Sequence, residues 1–207
     1  MVNRKILHFK CIRCGNCCLD KNTLVNLTYN DILRIKEGLK LSIDELLEIV
    51  GFYVFNKNPD EEELKKMVVP PLDTERGLAF VALKKNSQGA CIFYDNENEK
   101  CKIYGLRPNF CRTFPFSFRI LTDTQEGERN IELFYTQKAK EYCQGIKNDA
   151  PPIEEKEWKN VGKKTIEDLA DNNILIERWN EAVEKKVIEK SAKNFIQTLL
   201  NLKDEQN

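Results

Sequence analysis

The sequence predicts an α+β fold: a small domain of short helices and a small antiparallel sheet over residues 1–145, then a helical extension over residues 146–207. Three observations carry that expectation. Short apolar runs between turn residues fall in the first part of the chain. Capped helical stretches precede them. All eight cysteines lie at or before Cys143, after which the sequence becomes charged and helical in pattern.

The first element is a loop. Cys11 to Cys18 contains Gly15 and no apolar period, which suits the presentation of side chains more than the burial of a face. Thr28 opens a capping-box variant in which Asp31 reaches back to free backbone donors, so a helix is expected from Tyr29 to Glu37, stopped by Gly38. Ser42 with Glu45 forms a cleaner box and opens a helix over Ile43 to Val50, with Gly51 as its stop. Asn58 before Pro59, followed by Glu61, starts a third short helix that ends before Val68.

After Pro70-Pro71, the run Leu78 to Leu83 reads as a buried strand and Cys91 to Tyr94 as a second. Pro108 forces a turn or a helix start within the irregular segment Ile103 to Arg112. Arg119 to Thr122 and Ile131 to Tyr135 form an expected hairpin around a charged loop containing Gly127. Pro151-Pro152 marks the next helix start. Ile176, Trp179, Val183, Val187, Ile188, Phe195 and Leu199 then recur at three- and four-residue steps, predicting one long amphipathic helix over roughly the last 30 residues. Its stripe packs on the same domain, with a dimer or a protein partner as the alternative.

Composition narrows the function classes. The chain has 207 residues, 33 basic and 33 acidic side chains, and no net charge, so no global field draws it to nucleic acid or anionic lipid. No nucleic-acid or membrane partner is expected. With 41% hydrophobic residues it can bury a core without covalent staples, so the eight cysteines need another explanation. The N-terminal stretch lacks the apolar run of a secretory leader. The longest apolar run, Ile49 to Phe55, is far too short to cross a bilayer. A cytoplasmic protein is expected, where thiols stay reduced.

In that setting the four cysteines within Cys11–Cys18 read as metal ligands before disulfides. Thiolate sulfur is polarisable and anionic, which suits zinc or iron-sulfur chemistry. In Cys11-x-x-Cys14-Gly15 the two-residue gap turns both sulfurs to one side, and Gly15 permits the left-handed backbone that follows. Adding Cys17 gives three ligands of the kind a cubane cluster takes from one loop, with the fourth supplied remotely. Cys18, adjacent to Cys17, serves a second centre or packs. Cys143 is open to both ligation and packing. His8, the single histidine, reads as a packing or surface residue.

A second group follows: G-A-C-I-F-Y from Gly89 and C-K-I-Y-G-L-R-P-N-F-C-R-T-F-P-F from Cys101. Together with C-I-R-C-G-N-C-C, these blocks resemble the CxxCxxCC cysteine-cluster family, described as a zinc- or iron-chelating domain and related to flagellin lysine N-methylases. The resemblance spans Cys11 to Cys143 and leaves out the helical tail. It implies that Cys11, Cys14, Cys17, Cys18, Cys91, Cys101 and Cys111 gather at one metal-binding region, within an R-P-x-x-C-R-x-F-P signature that contains Arg107, Pro108, Arg112, Phe114 and Pro115. Arg107 and Arg112 are positioned by that signature to hydrogen-bond thiolate sulfur, surface ion pairing being the alternative. Phe93, Tyr94, Tyr104, Phe110, Phe114, Phe116 and Phe118 supply either a dry wall or ordinary core.

An iron-sulfur cluster of the 4Fe-4S type is preferred over zinc on the three two-residue-spaced cysteines. The resemblance also implies a lysine N-methylase-like enzyme using S-adenosylmethionine. The residues lend that little: no G-x-G-x-x-G follows a strand, and the C-x-x-x-C-x-x-C spacing of radical enzymes is absent. The remaining alternatives are a zinc-stabilised protein-interaction module and a protein of metal storage or delivery, which would require labile binding. No catalytic acid, base or nucleophile is identified by the sequence.

Overall fold

Helix boundaries in the computed structural model, which describes residues 6–121 and 130–204, follow the caps written in the sequence more closely than its glycines. After the short helix α1 (Asn16–Leu19), α2 spans Tyr29–Leu39 with a complete capping box between Thr28 and Asp31. Gly38 does not stop it. Lys40 does, at φ 56°, where its N–H and that of Leu41 close on the carbonyls of Glu37 and Lys36 in a Schellman pattern. Gly38 is instead a packing residue, because a Cβ there would strike Leu106.

Helix α3 (Ile43–Ile49) carries the expected box between Ser42 and Glu45. It ends one residue early because Val50–Val54 becomes strand β1, with Gly51 paired to Ala82 rather than ending a helix. The apolar run that was too short to span a bilayer is this strand. Helix α4 (Glu61–Lys65) is capped by Asp60 instead of Asn58, through a reciprocal pair with Glu63.

Strands β2 (Leu72–Thr74) and β3 (Gly77–Leu83) join β1 in an antiparallel sheet of order β1-β3-β2. Cys91 makes a single bridge to Lys85, so the expected strand from Cys91 shrinks to the hairpin β4 (Tyr94–Asp95) with β5 (Lys100–Cys101). A 3-10 turn at Tyr104–Leu106 leads into α5 (Asn109–Thr113), which Pro108 precedes as N-cap. The second hairpin pairs β6 (Phe116–Leu121) with β7 (Asn130–Tyr135). Its expected loop, with Thr122 and Gly127, lies outside the described residues.

A short helix not foreseen, α6 (Gln137–Tyr142), follows with Thr136 as its cap. The long terminal helix is corrected to two. Helix α7 (Glu155–Glu184) starts after Pro151-Pro152, and α8 (Ala192–Asp204) follows a turn in which Lys186 takes φ 55°. The turn lets α8 fold back so that Phe195 meets Trp179 edge-on, with centroids 5.2 Å apart, and Ile196 and Leu199 become buried. A continuous helix would carry that stripe away from the core and leave it in water.

The fold is therefore α+β, with two apolar clusters. The larger joins Leu27, Ile35, Leu46, Leu72 and Val81 to Trp179, Phe195 and Leu199. The smaller surrounds Phe116, Ile131 and Leu133, with Phe9, Trp158 and Ile166 against it. Helix α7 touches both, through Trp158 and Ile166 near its start and Ile176, Trp179 and Val183 near its end. No helix among the described residues is long and apolar enough to cross a membrane.

Candidate metal centre

Four separate chain segments bring cysteines to one place. Cys11, Cys17, Cys18, Cys91, Cys101 and Cys111 line a cavity of about 130 Å3. Gly15 makes the first approach possible. At φ 75° it turns the chain into α1, and a Cβ on it would run into the Tyr94 ring. The carbonyl of Cys18 then accepts the Cys91 N–H at 2.8 Å, which locks the two cysteine segments together through their backbones. Cys101 arrives on β5, and Cys111 on α5.

All eight cysteines are free thiols. The structure does not place Cys14 or Cys143 among the cavity-lining residues. Both are half-buried, and they lie near enough to each other for the charge of Cys14 to act on Cys143, which caps the end of α6. Among the described residues, no three His, Cys, Asp or Glu side chains converge closely enough to hold a single metal ion. The six thiols surround a void; they do not meet at a point.

Electrostatics at the cavity are one-sided. Arg13, Lys100 and Arg107 line it, and no carboxylate does. Arg13 and Arg107 lie over the Tyr104 ring at 4.3 and 3.8 Å from its centroid, and Arg107 Nε donates to the Tyr104 carbonyl at 3.1 Å. This stacking holds two guanidinium groups beside the sulfurs. Arg112 is exposed on α5 and is not part of the lining.

The thiols differ in acidity. A hydrogen bond donated by Cys18 is the largest influence on Cys17 and, with Arg107 assisting, brings it down to about 7 against its own desolvation. Cys18 rises for the same reason, since its proton is held in that bond. Burial pushes Cys91, Cys101 and Cys143 up, and Cys111 furthest of these. Tyr142, desolvated and facing Asp20 and Cys17, is raised to about 12.

The α5 segment is anchored from beneath. Asp31, fully buried, accepts the Asn109 N–H at 3.1 Å and the Arg34 guanidinium at 2.5 Å. Asn109 Nδ2 donates to Asp168 of α7 at 2.8 Å, and Arg34 also reaches the Arg107 carbonyl at 2.9 Å. The residues flanking Cys111 are thus fixed by helices on both sides. The Phe114–Pro115 bond that follows is cis.

Of the expected aromatic wall, only Tyr94 and Tyr104 line the cavity that the six thiols share. Phe93 is in the larger core, and Phe110, Phe114, Phe116 and Phe118 border a separate cavity. His8 accords with a packing role: its Nδ1 meets the Ala150 carbonyl at 2.7 Å, and its backbone bridges Pro152. Sequence reasoning missed Arg13 and Lys100. Arg13 stood inside the cysteine loop with no distinguishing pattern, and its φ of 57° is visible only in the fold. The Asp31 network was missed because a helix cap explains Asp31 completely at the sequence level.

Comparison with known proteins covers the part of the chain that holds all eight cysteines. The family model CxxCxxCC, described as "Putative zinc- or iron-chelating domain", matches residues 10–144. The uncharacterized protein MJ0661 of Methanocaldococcus jannaschii is 30% identical over 155 residues, which cover 70% of this chain and 66% of that protein's length. No solved structure matches the chain.

Proposed function

We propose, from the premise that this chain belongs to the CxxCxxCC family, that it is a metalloprotein whose cavity thiols hold an iron-sulfur cluster. The observation that carries this reading is six cysteines, from four segments, around one void with three cations and no carboxylate. The donor set fits such a group. A tetrahedral zinc ion, with sulfur at about 2.3 Å, draws its ligands to a point. A void of about 130 Å3 has the share of liquid volume of roughly four waters, more than one ion occupies.

Under this proposal Cys17, Cys91, Cys101 and Cys111, one from each segment, are the principal donors, and Cys11 and Cys18 are the two further thiols of the lining. Of these four, Cys17 is the most readily deprotonated, and Cys111, the most deeply desolvated, holds its proton hardest. Metal uptake therefore releases protons and strengthens as pH rises. Arg13 and Arg107 offset the negative charge of the thiolates, and Arg107 is the nearer counter-charge for Cys17, Cys101 and Cys111. A bound cluster supplies a one-electron redox centre. Cys14 and Cys143, near each other outside the void, are assigned no place in it.

Anaerobically purified protein should contain iron and acid-labile sulfide and absorb in the visible. Cys111→Ala should remove most of both, while Cys143→Ala should retain them. A colourless anaerobic protein with stoichiometric zinc, lost in Cys111→Ala, would replace the cluster by zinc at the same thiols. Full metal content in Cys111→Ala would overturn the assignment of the cavity.

A further inference from the structure

Helix α5, which delivers Cys111, cannot hold its own position. It is five residues long and its N-cap, Pro108, makes no side-chain capping bond, so its direction is set by what grips it from outside. Each residue of a helix turns it by about 100°, so Asn109, two residues before Cys111, points about 200° away from it. Cys111 lines the thiol cavity, and Asn109 is buried on the opposite side.

There Asn109 joins two helices. Its backbone N–H donates to Asp31 Oδ1 of α2 at 3.1 Å, and its side-chain Nδ2 donates to Asp168 Oδ2 of α7 at 2.8 Å. A ring closes through α2 itself, because Asn30, the neighbour of Asp31, donates to Asp168 Oδ1 at 3.1 Å. One turn further along α7, Asn172 accepts the Tyr29 N–H at 3.0 Å and holds the start of α2 to the same helix. Asp168 is buried and relies on the two amides. Its remaining partner among the described residues is Lys164 at 3.4 Å, a side chain 71% exposed, whose charge water screens.

Metal ligands must be placed to within tenths of an ångström, and groups that orient them from behind account for about 10- to 100-fold in metal affinity. Resting on the reading that the cavity thiols hold metal, we propose that Asn109 and Asp168 are positioning residues of that centre. The bond between them sets where Cys111 sits. It also makes α7, which begins at Glu155 well past the last cysteine, a working part of the metal site. Breaking it leaves buried amide donors without an acceptor and frees α5 to turn, with Cys111 on its far side.

Two measurements on the full-length protein test this, one with metal and one without. In metal-loaded protein, loss of metal to excess EDTA should be about 10 to 100 times faster in Asp168→Leu than in wild type. Asn109→Asp sets a carboxylate against Asp168 and should act likewise. Adding Asp168→Asn to it restores a donor and an acceptor with their roles exchanged, and should recover most of the loss. Phe195→Ala, which cuts the contact between α8 and Trp179, controls for stability and should release metal close to the wild-type rate. In chelator-treated protein, iodoacetamide labelling of Cys111, read by mass spectrometry, should be about tenfold faster in Asp168→Leu. Labelling of Cys101, the internal reference, should stay unchanged, since global unfolding exposes both thiols alike. Equal release from Asp168→Leu and Phe195→Ala, or Cys111 labelling no faster in Asp168→Leu than in wild type, would overturn the proposal. If wild type holds neither iron nor zinc, the metal reading fails, and the labelling alone decides whether Asp168 positions Cys111.

Discussion

Asp31→Ala should destabilise the protein by about 3 to 5 kcal/mol and loosen the segment that carries Cys111. Asp31 is fully buried, and its carboxylate accepts from Thr28 N at 3.2 Å, Asn109 N at 3.1 Å and Arg34 at 2.5 Å. Removing it strands two buried backbone donors, at about 1 to 3 kcal/mol each. The Arg34 side chain is 27% exposed and keeps the Arg107 carbonyl, so losing its partner adds no more than about 1 kcal/mol. Urea unfolding measures the sum. With a slope of about 2 kcal/mol/M the midpoint should fall by roughly 2 M, the slope itself staying constant.

Asp31→Asn supplies the control for charge. Burial outweighs Arg34 and raises the Asp31 carboxyl above its unfolded value, so the folded state binds that proton more tightly. Its contribution therefore declines as pH rises from the unfolded value through the raised folded one, and is level above that. Asp31→Asn should abolish this dependence and lose less stability than Asp31→Ala. A midpoint for Asp31→Ala within about 0.5 M of wild type would refute the anchoring role, because the stranded donors would then have found water or new partners.

Other expectations follow from the same geometry. Gly15→Ala forces a Cβ into the Tyr94 ring at positive φ and should lower stability by about 1 to 3 kcal/mol, read by thermal melting. In reduced, chelator-treated protein, alkylation of Cys17 followed by mass spectrometry should show a pH midpoint near 7, moving upward in Cys18→Ala because the donated hydrogen bond is lost; an unmoved midpoint would reject that bond. Phe195→Ala should cost about 3 to 5 kcal/mol, since it empties the contact between α8 and Trp179. A chain ending at residue 145 removes Ile176, Trp179 and Phe195 from the larger core and should lose cooperative unfolding by calorimetry.

Local signals were legible where one segment carries the whole cause. The capping boxes at Thr28 and Ser42 need only a hydroxyl and a carboxylate three residues apart, and both appear as read. Gly15 and its left-handed turn were legible for the same reason. Signals failed where two segments share the cause. Val50–Val54 was apolar enough for either state, and its pairing with β3 over five positions made it strand. The apolar steps from Ile176 to Leu199 fit one helix, yet burying them against one core required the turn at Lys186.

The chain's residue order by itself determined the α+β class, the family and the cysteine blocks, because caps, apolar runs and C-x-x-C spacing are short-range properties. Tertiary structure alone decided which thiols share a void. Cys14 sits between Cys11 and Cys17 in the chain but outside their cavity, whereas Cys91, Cys101 and Cys111 are brought to it from distant segments. Spacing along a chain sets where a side chain can point; the packing of Tyr94, Asp31 and α7 around it sets what it meets.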